Sequence, residues 1–293
     1  MGKRIGFIGL GVMGEPMCRN IALKSGAPVT AYDRDPAPLA RLKTHGVSAA
    51  VSAGALADAA DIVFLSLPSG EIVAELARGE GGLLAAARSG QIIVDLGTSP
   101  VDLTRQLAQE FAQRGASFVD APVARTRAAA EAGTLSVMVG ADATTFDALR
   151  PLLAMFASDV THCGQVGCGQ VVKILNNMVL FETVIALAEA HAIGVRSGVD
   201  PQLLFNTLSK GSADSFALRN HGMKAILPGQ FPARAFSVEY ARKDLSYALR
   251  LAKESAVDAS GARNADGWLR QAVEAGDGEL YFPVVSRRIG RKH

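Results

Sequence analysis

A short row of polar side chains interrupts an otherwise apolar stretch near the middle of the chain. Lys173, Asn176 and Asn177 are spaced three and four residues apart, so an α-helix places them on one face. No carboxylate stands three or four residues from Lys173 to neutralise it. Burial of an unpaired lysine lowers its pKa toward the range in which it exchanges protons, which predicts a general acid/base. The alternative is a lysine that reaches solvent or pairs with a distant acid, with asparagines that cross-link helices.

A glycine-rich turn near the N-terminus predicts a phosphate-binding site. It has the pattern G-x-G-x-x-G and consists of Gly9, Leu10, Gly11, Val12, Met13 and Gly14. Gly9 permits a tight turn, Gly11 lets the main chain approach a pyrophosphate, and Gly14 lets the next helix pack on the strand. The free N–H groups at the start of that helix would bind the phosphates of a dinucleotide.

Two charged residues bear on which dinucleotide binds. Asp33 ends the second predicted strand, 19 residues after Gly14. A carboxylate there accepts hydrogen bonds from ribose hydroxyls and repels a 2′-phosphate, so it favours NAD over NADP. Arg34 is the opposing feature, because a guanidinium accommodates a 2′-phosphate. The alternative role for Asp33 is to cap the helix that follows Pro36.

Short apolar β-like runs alternate with helical patterns as far as residue 162. The predicted strands are Arg4–Ile8, Val29–Tyr32, Ile62–Ser66, Ile92–Asp95, Ser117–Val119 and Leu135–Gly140, and the predicted helices are Gly14–Lys24, Ala37–His45, Ala53–Ala60, Val101–Arg114 and Ala143–Phe156. This alternation predicts an α/β domain, residues 1–162, with a Rossmann-type doubly wound parallel sheet that binds NAD. Leu67 and Pro68, just after the third predicted strand, are assigned to the cofactor site.

The pattern changes after residue 162. A helix is predicted over Gln170–Arg196, and further helices begin near Pro201, Ser215, Ser237 and Asn264, with no convincing strand among them. We therefore expect residues 163–293 to form an all-α domain for substrate binding and oligomerisation, joined to the first domain by the long helix.

The charge balance argues against a nucleic-acid partner. The chain has 30 basic and 28 acidic side chains, and the excess lies in its last residues: Arg287, Arg288, Arg291 and Lys292. A nucleic-acid-binding protein is expected to show a basic face or stripe with aromatic or glycine interleaving. We expect instead a frayed, solvated C-terminus.

Cysteine usage and hydropathy indicate the compartment. Cys18, Cys163 and Cys168 are an odd number without framework spacing, which is typical of a reducing environment. His162 with the last two cysteines matches no zinc-site spacing, so we expect no metal. No stretch reaches the ~18 apolar residues that a membrane span needs. We expect a cytoplasmic protein without a membrane partner.

Four segments carry a family resemblance, and they stand in family order along nearly the whole chain. They are Gly6–Met17, Asp120–Val123 with Gly133–Leu135, Gly169–Asn177, and Lys243–Leu245. Together they resemble the β-hydroxyacid dehydrogenase family, the group that includes 3-hydroxyisobutyrate dehydrogenase. The resemblance implies an NAD-binding fold followed by a helical domain, and homodimers or homotetramers formed through that helical domain.

The resemblance also implies roles for individual residues. Lys173 would be the general acid/base, Asn177 would hold the substrate or the lysine, and Asn176 would contact the substrate. Lys243 would reach the substrate or the cofactor from a later helix. Thr98 would lie near the nicotinamide, although its turn is one residue shorter than is usual in the family.

The substrate segment departs from the family pattern. Where the family has Ser-Gly-Gly after Asp-Ala-Pro-Val, this chain continues from Pro122 and Val123 with Ala124, Arg125 and Thr126. Arginine suits bidentate binding of an anion, so we expect Arg125 to hold the acid group of a small substrate. The alternative is a solvated loop. Sulfolactaldehyde reductases carry a similar Arg-Thr pair but a serine at the position of Leu180, which leaves carboxylate and sulfonate substrates both open.

We expect an oxidoreductase that transfers a hydride between a nicotinamide cofactor and a small anionic β-hydroxy acid or its semialdehyde. One alternative is a sulfonate-aldehyde reductase of the same family. Another is a non-catalytic NAD-binding interaction protein, whose sequence would be expected to have lost Lys173. Imine reduction is a weaker alternative, since related imine reductases usually lack a lysine at this position.

Overall fold

The computed structural model describes residues 3–233 and 235–289 of the chain. The chain divides into two compact units, of which the first ends at Lys173 and the second begins at Ile174. The tail residues Arg291 and Lys292 lie outside the described residues.

Within the described residues, nine strands form one sheet in the first unit. They are β1 (Ile5–Ile8), β2 (Val29–Tyr32), β3 (Ser48–Ala49), β4 (Ile62–Leu65), β5 (Ile92–Asp95), β6 (Ser117–Asp120), β7 (Val123–Ala124), β8 (Leu135–Gly140) and β9 (Ala157–Gly164). Their spatial order is β3-β2-β1-β4-β5-β6-β8-β7, and β9 also pairs with β8. The strands from β3 to β6 are parallel, so the predicted Rossmann-type sheet is confirmed.

The far side of the sheet differs from the all-parallel prediction. Strand β8 runs antiparallel to β6 and β7, and β9 runs parallel to β8. The short strands β3 and β7 and the largely exposed strand β9 were not predicted, because none of them has a buried apolar run. The predicted boundary at residue 162 falls inside β9, whose pairing with β8 carries the sheet on to Gly164.

Helices cover both faces of this sheet. They are α1 (Gly14–Lys24), α2 (Pro36–Lys43), α3 (Ala53–Ala59), α4 (Gly70–Arg78), α5 (Leu83–Ala86), α6 (Val101–Ala112), α7 (Arg127–Ala132) and α8 (Ala143–Leu153). On one face, Phe7 and Phe64 pack with residues of α1, α2 and α8. On the other, Ile8, Val63 and Leu65 pack with residues of α3, α4 and α6. Strands buried on both sides in this way need the unbroken apolar runs seen in the sequence.

The second unit is helical, as predicted. Its elements are the main part of α9 (Cys168–Arg196), then α10 (Pro201–Leu208), a π-helix (Leu218–Ile226), α11 (Val238–Glu254), α12 (Ser260–Glu274) and a 3-10 helix (Phe282–Arg287). Phe181 of α9 packs against Phe236 and Phe282, with ring centroids 5.7 and 5.2 Å away. These rings form part of a core that ties α9 to the C-terminal segment.

Helix α9 has 29 residues and a mean hydropathy of 1.7 in its most apolar window, which by length and composition alone is enough to cross a membrane. A count of uninterrupted apolar residues does not register it, because Lys173, Asn176 and Asn177 interrupt the run. Core helices of soluble proteins have the same composition, and 44% of that window is buried in the structure.

The described part of the C-terminal tail is not frayed, and that prediction is wrong for its first residues. Phe282, Val284 and Val285 are buried. The guanidinium of Arg288 donates to Asp277 at 2.7 Å, and that of Arg287 lies 4.9 Å from the ring of Phe231. Burial of the apolar residues orders this segment and leaves its arginines paired rather than free in solvent.

Candidate active site

The glycine-rich turn has the geometry that a dinucleotide requires. Gly9 has φ +90, a conformation that favours glycine, and a side chain on it would collide with the carbonyl of Ser66. A side chain on Gly14 would collide with the carbonyl of Gly9. At Gly11, by contrast, a Cβ atom would meet no protein atom within 4 Å. The turn is therefore closed on its protein side and open at the glycine where a pyrophosphate is expected.

Asp33 lies at the end of β2 and is hydrogen bonded to this turn. One carboxylate oxygen accepts from the backbone N–H of Leu10 at 2.5 Å, and the other accepts from that of Asp35 at 2.8 Å. The alternative role of capping α2 belongs to Asp35, which accepts from the backbone N–H of Ala37 at 2.9 Å. Arg34 is exposed. Asp33 thus fixes the carboxylate beside the glycine turn.

The segments that follow β4 and β5 lie at the same edge of the sheet. Leu67 is half-buried and Pro68 exposed. A Cβ on Gly97 would lie 3.0 Å from the carbonyl oxygen of Leu67, so the two segments are in close contact. Thr98, in the turn after β5, is buried. The structure therefore brings together Leu67 and the Thr98 turn.

The Thr98 turn is held by the buried carboxylate of Asp95 and by the first turn of α9. Asp95 accepts from the backbone N–H of Gly97 at 2.8 Å and from the hydroxyl of Ser99 at 2.7 Å. The side chain of Gln170 accepts from the backbone N–H of Ser99 at 3.0 Å and donates to the carbonyl of Gly97 at 2.9 Å. Lys173 follows one helical turn later and is only 8% exposed, which agrees with its predicted burial.

A second buried carboxylate, Asp120 at the end of β6, anchors the start of α9. It accepts from the backbone N–H of Gly167 at 2.7 Å and from that of Gln170 at 2.8 Å. Burial raises the pKa of Asp120 to about 6, against the opposing effect of these N–H groups. Asp120 belongs to one of the family motifs in the sequence, but no role was predicted for it. The feature that could have revealed its role is its position at the carboxyl end of β6, where it pairs in register with Asp95 of β5.

The predicted substrate segment is partly a strand rather than a loop. Val123 and Ala124 form β7, which pairs with β8, and Pro122 is buried. Thr126 caps α7, its hydroxyl accepting from the backbone N–H of Ala129 at 3.4 Å.

Arg125 is exposed, and its guanidinium is hydrogen bonded to groups of the protein. Its guanidinium donates to the carboxylate of Asp159 at 2.7 Å, to the hydroxyl of Ser158 at 2.8 Å and to the carbonyl of Thr134 at 2.6 Å. A substrate acid would have to compete with Asp159 for the same donors. Strand β9, which was not predicted, thus supplies an anion that pairs with Arg125, and the ligand role of Arg125 stays a prediction.

In the second unit, the two other predicted site residues meet at Asp244. The side-chain amide of Asn177 donates to Asp244 at 2.7 Å, and the ammonium of Lys243 lies 3.0 Å from its other oxygen. Asn176 is exposed and donates to the side chain of Asn177 at 3.1 Å. Asp244 is buried and was named in a motif but given no role.

Lys243 also lies against aromatic rings on its own helix, α11. Its ammonium is 4.0 Å from the ring centroid of Tyr240 and 5.4 Å from that of Tyr247. Burial by itself lowers the pKa of this ammonium, but the charge of Asp244 and the phenol of Tyr240 outweigh it and raise the pKa. Lys243 therefore remains a cation in partly buried surroundings.

The rejected metal site gains no support from the part of the chain that the structure describes, in which no group of three His, Cys, Asp or Glu side chains is placed to hold an ion. His162 lies 2.8 Å from the carbonyl oxygen of Ala141 and stacks on Phe146 with centroids 4.7 Å apart. Its ring is used in packing against α8.

Comparisons with known proteins agree with these two halves. Residues 4–164 match the family model described as the NAD binding domain of 6-phosphogluconate dehydrogenase. Residues 167–283 match the one described as NAD-binding of NADP-dependent 3-hydroxyisobutyrate dehydrogenase.

Individual relatives match along most of their length. The 2-(hydroxymethyl)glutarate dehydrogenase of Eubacterium barkeri is 39% identical over 87% of this chain and 84% of its own. The NAD-dependent L-serine dehydrogenase of Pseudomonas aeruginosa is 33% identical over 97% of each. The solved structure of Mycobacterium tuberculosis 3-hydroxyisobutyrate dehydrogenase with L-serine has a TM-score of 0.89 at 30% identity, and the match covers 99% of this chain and 100% of that one. The chain therefore belongs to the β-hydroxyacid dehydrogenase family of NAD-binding oxidoreductases, which act on CH–OH groups.

Proposed function

We propose that this enzyme reversibly transfers a hydride between NAD and a 3-hydroxypropanoate that carries a substituent on carbon 2, or the corresponding semialdehyde. The observation that carries the proposal is the buried lysine, Lys173, one helical turn beyond Gln170, whose side chain is bonded to the turn that contains Thr98. This arrangement supports a proton-transfer group at a fixed distance along α9 from the cofactor edge of the sheet.

The substrate class follows from what the named relatives share. 2-(Hydroxymethyl)glutarate, 3-hydroxyisobutyrate and L-serine each carry a CH₂OH group on the carbon next to a carboxylate. The reacting carbon and the acid group keep the same separation in all three molecules, while the second substituent varies. We therefore favour a carboxylate over a sulfonate for this chain.

The cofactor would lie along the glycine turn, with its pyrophosphate at Gly11 and at the N–H groups that begin α1. The carboxylate of Asp33 beside the turn would accept the ribose hydroxyls and repel a 2′-phosphate, which favours NAD over NADP; the exposed Arg34 is the residue that would favour NADP. Leu67, Pro68 and Thr98 would line the nicotinamide end. Bound there, the nicotinamide supplies the hydride acceptor or donor.

The chain's own residues would manage the proton and the substrate. Lys173 takes the proton from the hydroxyl during oxidation and returns it to the carbonyl oxygen during reduction, an effect worth ~10²–10⁴-fold in rate. Asn176 and Asn177 orient the substrate near that oxygen. Lys243, a cation in partly buried surroundings, contacts the substrate acid or the cofactor. Residues 1–162 serve the cofactor, and residues 163–293 serve the substrate and self-association.

Replacement of the lysine tests this assignment. In Lys173→Ala we expect kcat to fall by about 10²-fold or more while NAD binding, measured by fluorescence titration, stays near that of the wild type. Lys210→Ala, at an exposed position in the second unit, is the control. A Lys173→Ala enzyme with more than about a tenth of wild-type activity would contradict the role.

A coupled screen tests the substrate class. NADH formation would be measured with 2-substituted 3-hydroxypropanoates, the reverse reaction with their semialdehydes, and both directions with a sulfonate analogue. We expect turnover of the carboxylates. Turnover of the sulfonate alone would reassign the enzyme, and turnover of none would favour a non-catalytic NAD-binding protein.

The assembly and the compartment are part of the same proposal. Val179 and Ile193 of α9 are 58% and 66% exposed, and with Val172 and Leu175 they form an apolar row at helical spacing. A second copy of the chain would cover this row in a homodimer or homotetramer. The cysteines are unpaired, which supports a reducing compartment such as the cytoplasm.

A further inference from the structure

The backbone of Arg125 has a conformation that L-amino acids rarely adopt. Its φ is +89, in the left-handed region, and only one other non-glycine residue among those the structure describes has a positive φ. Glycine adopts this conformation freely, whereas arginine is strained in it. Some contact of the side chain must therefore compensate.

The compensating contacts reach across three neighbouring strands. Arg125 directly follows Ala124 at the end of β7, which pairs with Ser136 of β8, and Ser136 pairs in turn with Asp159 of β9. The guanidinium spans this row and donates to Asp159 and Ser158. The register shifts between β8 and β9 at this point, so Ser158 is left without a strand partner and turns its hydroxyl to the same carboxylate.

Each partner of this cluster is held by more than one hydrogen bond. The hydroxyl of Ser158 donates to Asp159 at 2.8 Å while it accepts from Arg125. The hydrogen bond from Ser158 and the charge of Arg125 lower the pKa of Asp159, so its carboxylate remains ionised at neutral pH. The carbonyl of Thr134, just before β8, accepts from the same guanidinium nitrogen as Ser158.

We propose that Arg125 is a positioning residue for substrate selection. The ion pair between its guanidinium and Asp159, called the latch below, holds the backbone of residues 122–126 in the left-handed turn that shapes the substrate segment. The inference rests on the proposed function and on the expectation, implied by the family resemblance, that residues 122–126 contact the acid group of the substrate. Arg125 acts on the substrate through the main chain, and the guanidinium faces Asp159 instead.

Four single variants separate a latch from a ligand. Arg125→Ala loses the latch and keeps the strained backbone, whereas Arg125→Gly loses the latch but accepts the left-handed conformation. Asp159→Asn keeps the arginine and removes its anion. Glu131→Gln is the matched control, because it removes a carboxylate of the same segment that pairs with Arg127 at 2.8 Å on the exposed surface of α7.

The latch predicts a definite ranking of KM for the acidic substrate. Arg125→Ala and Asp159→Asn should each raise KM by about three- to tenfold with kcat within about twofold of wild type, and Arg125→Gly should raise it less. The control should leave KM unchanged. The double variant Arg125→Ala with Asp159→Asn should be no worse than the more affected single variant, because both remove the same interaction.

Two kinetic results would overturn the latch. A ligand role predicts equal KM increases in Arg125→Ala and Arg125→Gly, and an unchanged or lowered KM in Asp159→Asn, which frees the guanidinium for the substrate. A purely structural role predicts lower thermal midpoints in all three variants with wild-type KM.

Hydrogen exchange supplies a readout that needs no turnover. Amides of residues 122–134 should exchange faster in Asp159→Asn than in the wild type or in Glu131→Gln. Unchanged exchange would reject the latch. If the wild-type enzyme turns over none of the acids, the proposed function fails while this measurement still decides whether the latch exists.

Discussion

Two buried carboxylates anchor α9 at positions two turns apart, and they do so with different partners. Asp120, in the first unit, accepts from main-chain N–H groups of Gly167 and Gln170. Asp244, in the second unit, meets side chains: the amide of Asn177 and the ammonium of Lys243. Along the helix, Lys173 stands between these two anchored positions.

The difference concerns what each carboxylate controls. Bonds to main-chain N–H groups fix where the helix begins and how it is directed, and no substitution of the donor residues' side chains removes them. Bonds to side chains fix rotamers and charge instead. Burial raises the pKa of Asp120, whereas the charge of Asp244 raises the pKa of the lysine beside it. The first anchor is thus structural, and the second tunes a charged group of the proposed site.

The largest effect is expected from removal of Asp120, the carboxylate that accepts from main-chain N–H groups at the start of α9. Asp120→Ala leaves buried N–H groups without an acceptor, and we expect a loss of about 3 kcal/mol in the free energy of unfolding in urea at pH 4. Asp142→Ala is the control: Asp142 caps α8 at the surface through the N–H of Thr145, and its loss should cost about 1 kcal/mol. Equal losses in the two variants would remove Asp120 from its role.

The pH dependence of the same two variants should have opposite signs. The folded pKa of Asp120 is raised from 3.8 to about 6, so its contribution to stability is full below about pH 4 and is lost as the pH rises through 6. The stability difference between the wild type and Asp120→Ala should therefore shrink by ~2 kcal/mol from pH 4 to pH 7.

The control should behave in the opposite way. Hydrogen bonds from Thr145 lower the pKa of Asp142, so its contribution is present above the unfolded pKa and is lost as the pH falls. Urea unfolding at pH values from about 2 to 7 checks both slopes, because the contribution of Asp142 is lost only below its unfolded pKa of 3.8. The same slope for both variants would contradict the assigned environments.

The smallest expected effect is the loss of the charge on Asp244, the carboxylate that contacts the side chains of Asn177 and Lys243. Asp244→Asn keeps the shape but removes the charge that raises the pKa of Lys243, while the burial that lowers it remains. Lys243 should then lose its proton at lower pH, so the alkaline limb of the KM profile should shift downward, with KM raised about fivefold near pH 9. Asp266→Asn is the control, since Asp266 pairs with the neighbouring Arg242 at 3.4 Å. Identical profiles for Asp244→Asn and the control would reject the coupling.

Local patterns were enough to predict much of this molecule. The glycine turn, the burial of Lys173 and the division into a sheet unit and a helical unit each depend on residues near one another in sequence. A phosphate-binding turn is defined by six consecutive residues, and an apolar helix by its own periodicity. The catalytic role of Lys173 stays a prediction.

The partners of buried charges could not be predicted, because they are distant in sequence. Asp120 meets residues more than forty positions later, and Gln170 reaches back to Ser99. Arg125 suggested an anion ligand by its chemistry alone, and only the unpredicted strand β9 revealed Asp159 as the anion. The charged residues can therefore be named from the sequence, but the group that each one contacts cannot.

The crowding around Asp120 limits how this protein can be engineered for heat resistance. Gly169 lies in the first turn of α9, and alanine has a higher helix propensity than glycine. Its Cβ atom would stand 2.8 Å from the carboxylate of Asp120 and would also collide with the carbonyl of Met138. Gly267 in α12 has no atom within 4 Å of the same position. The sequence alone does not distinguish these two helical glycines. Alanine at Gly267 has room and could stabilise the protein against heat, whereas alanine at Gly169 would displace the start of α9 from Asp120.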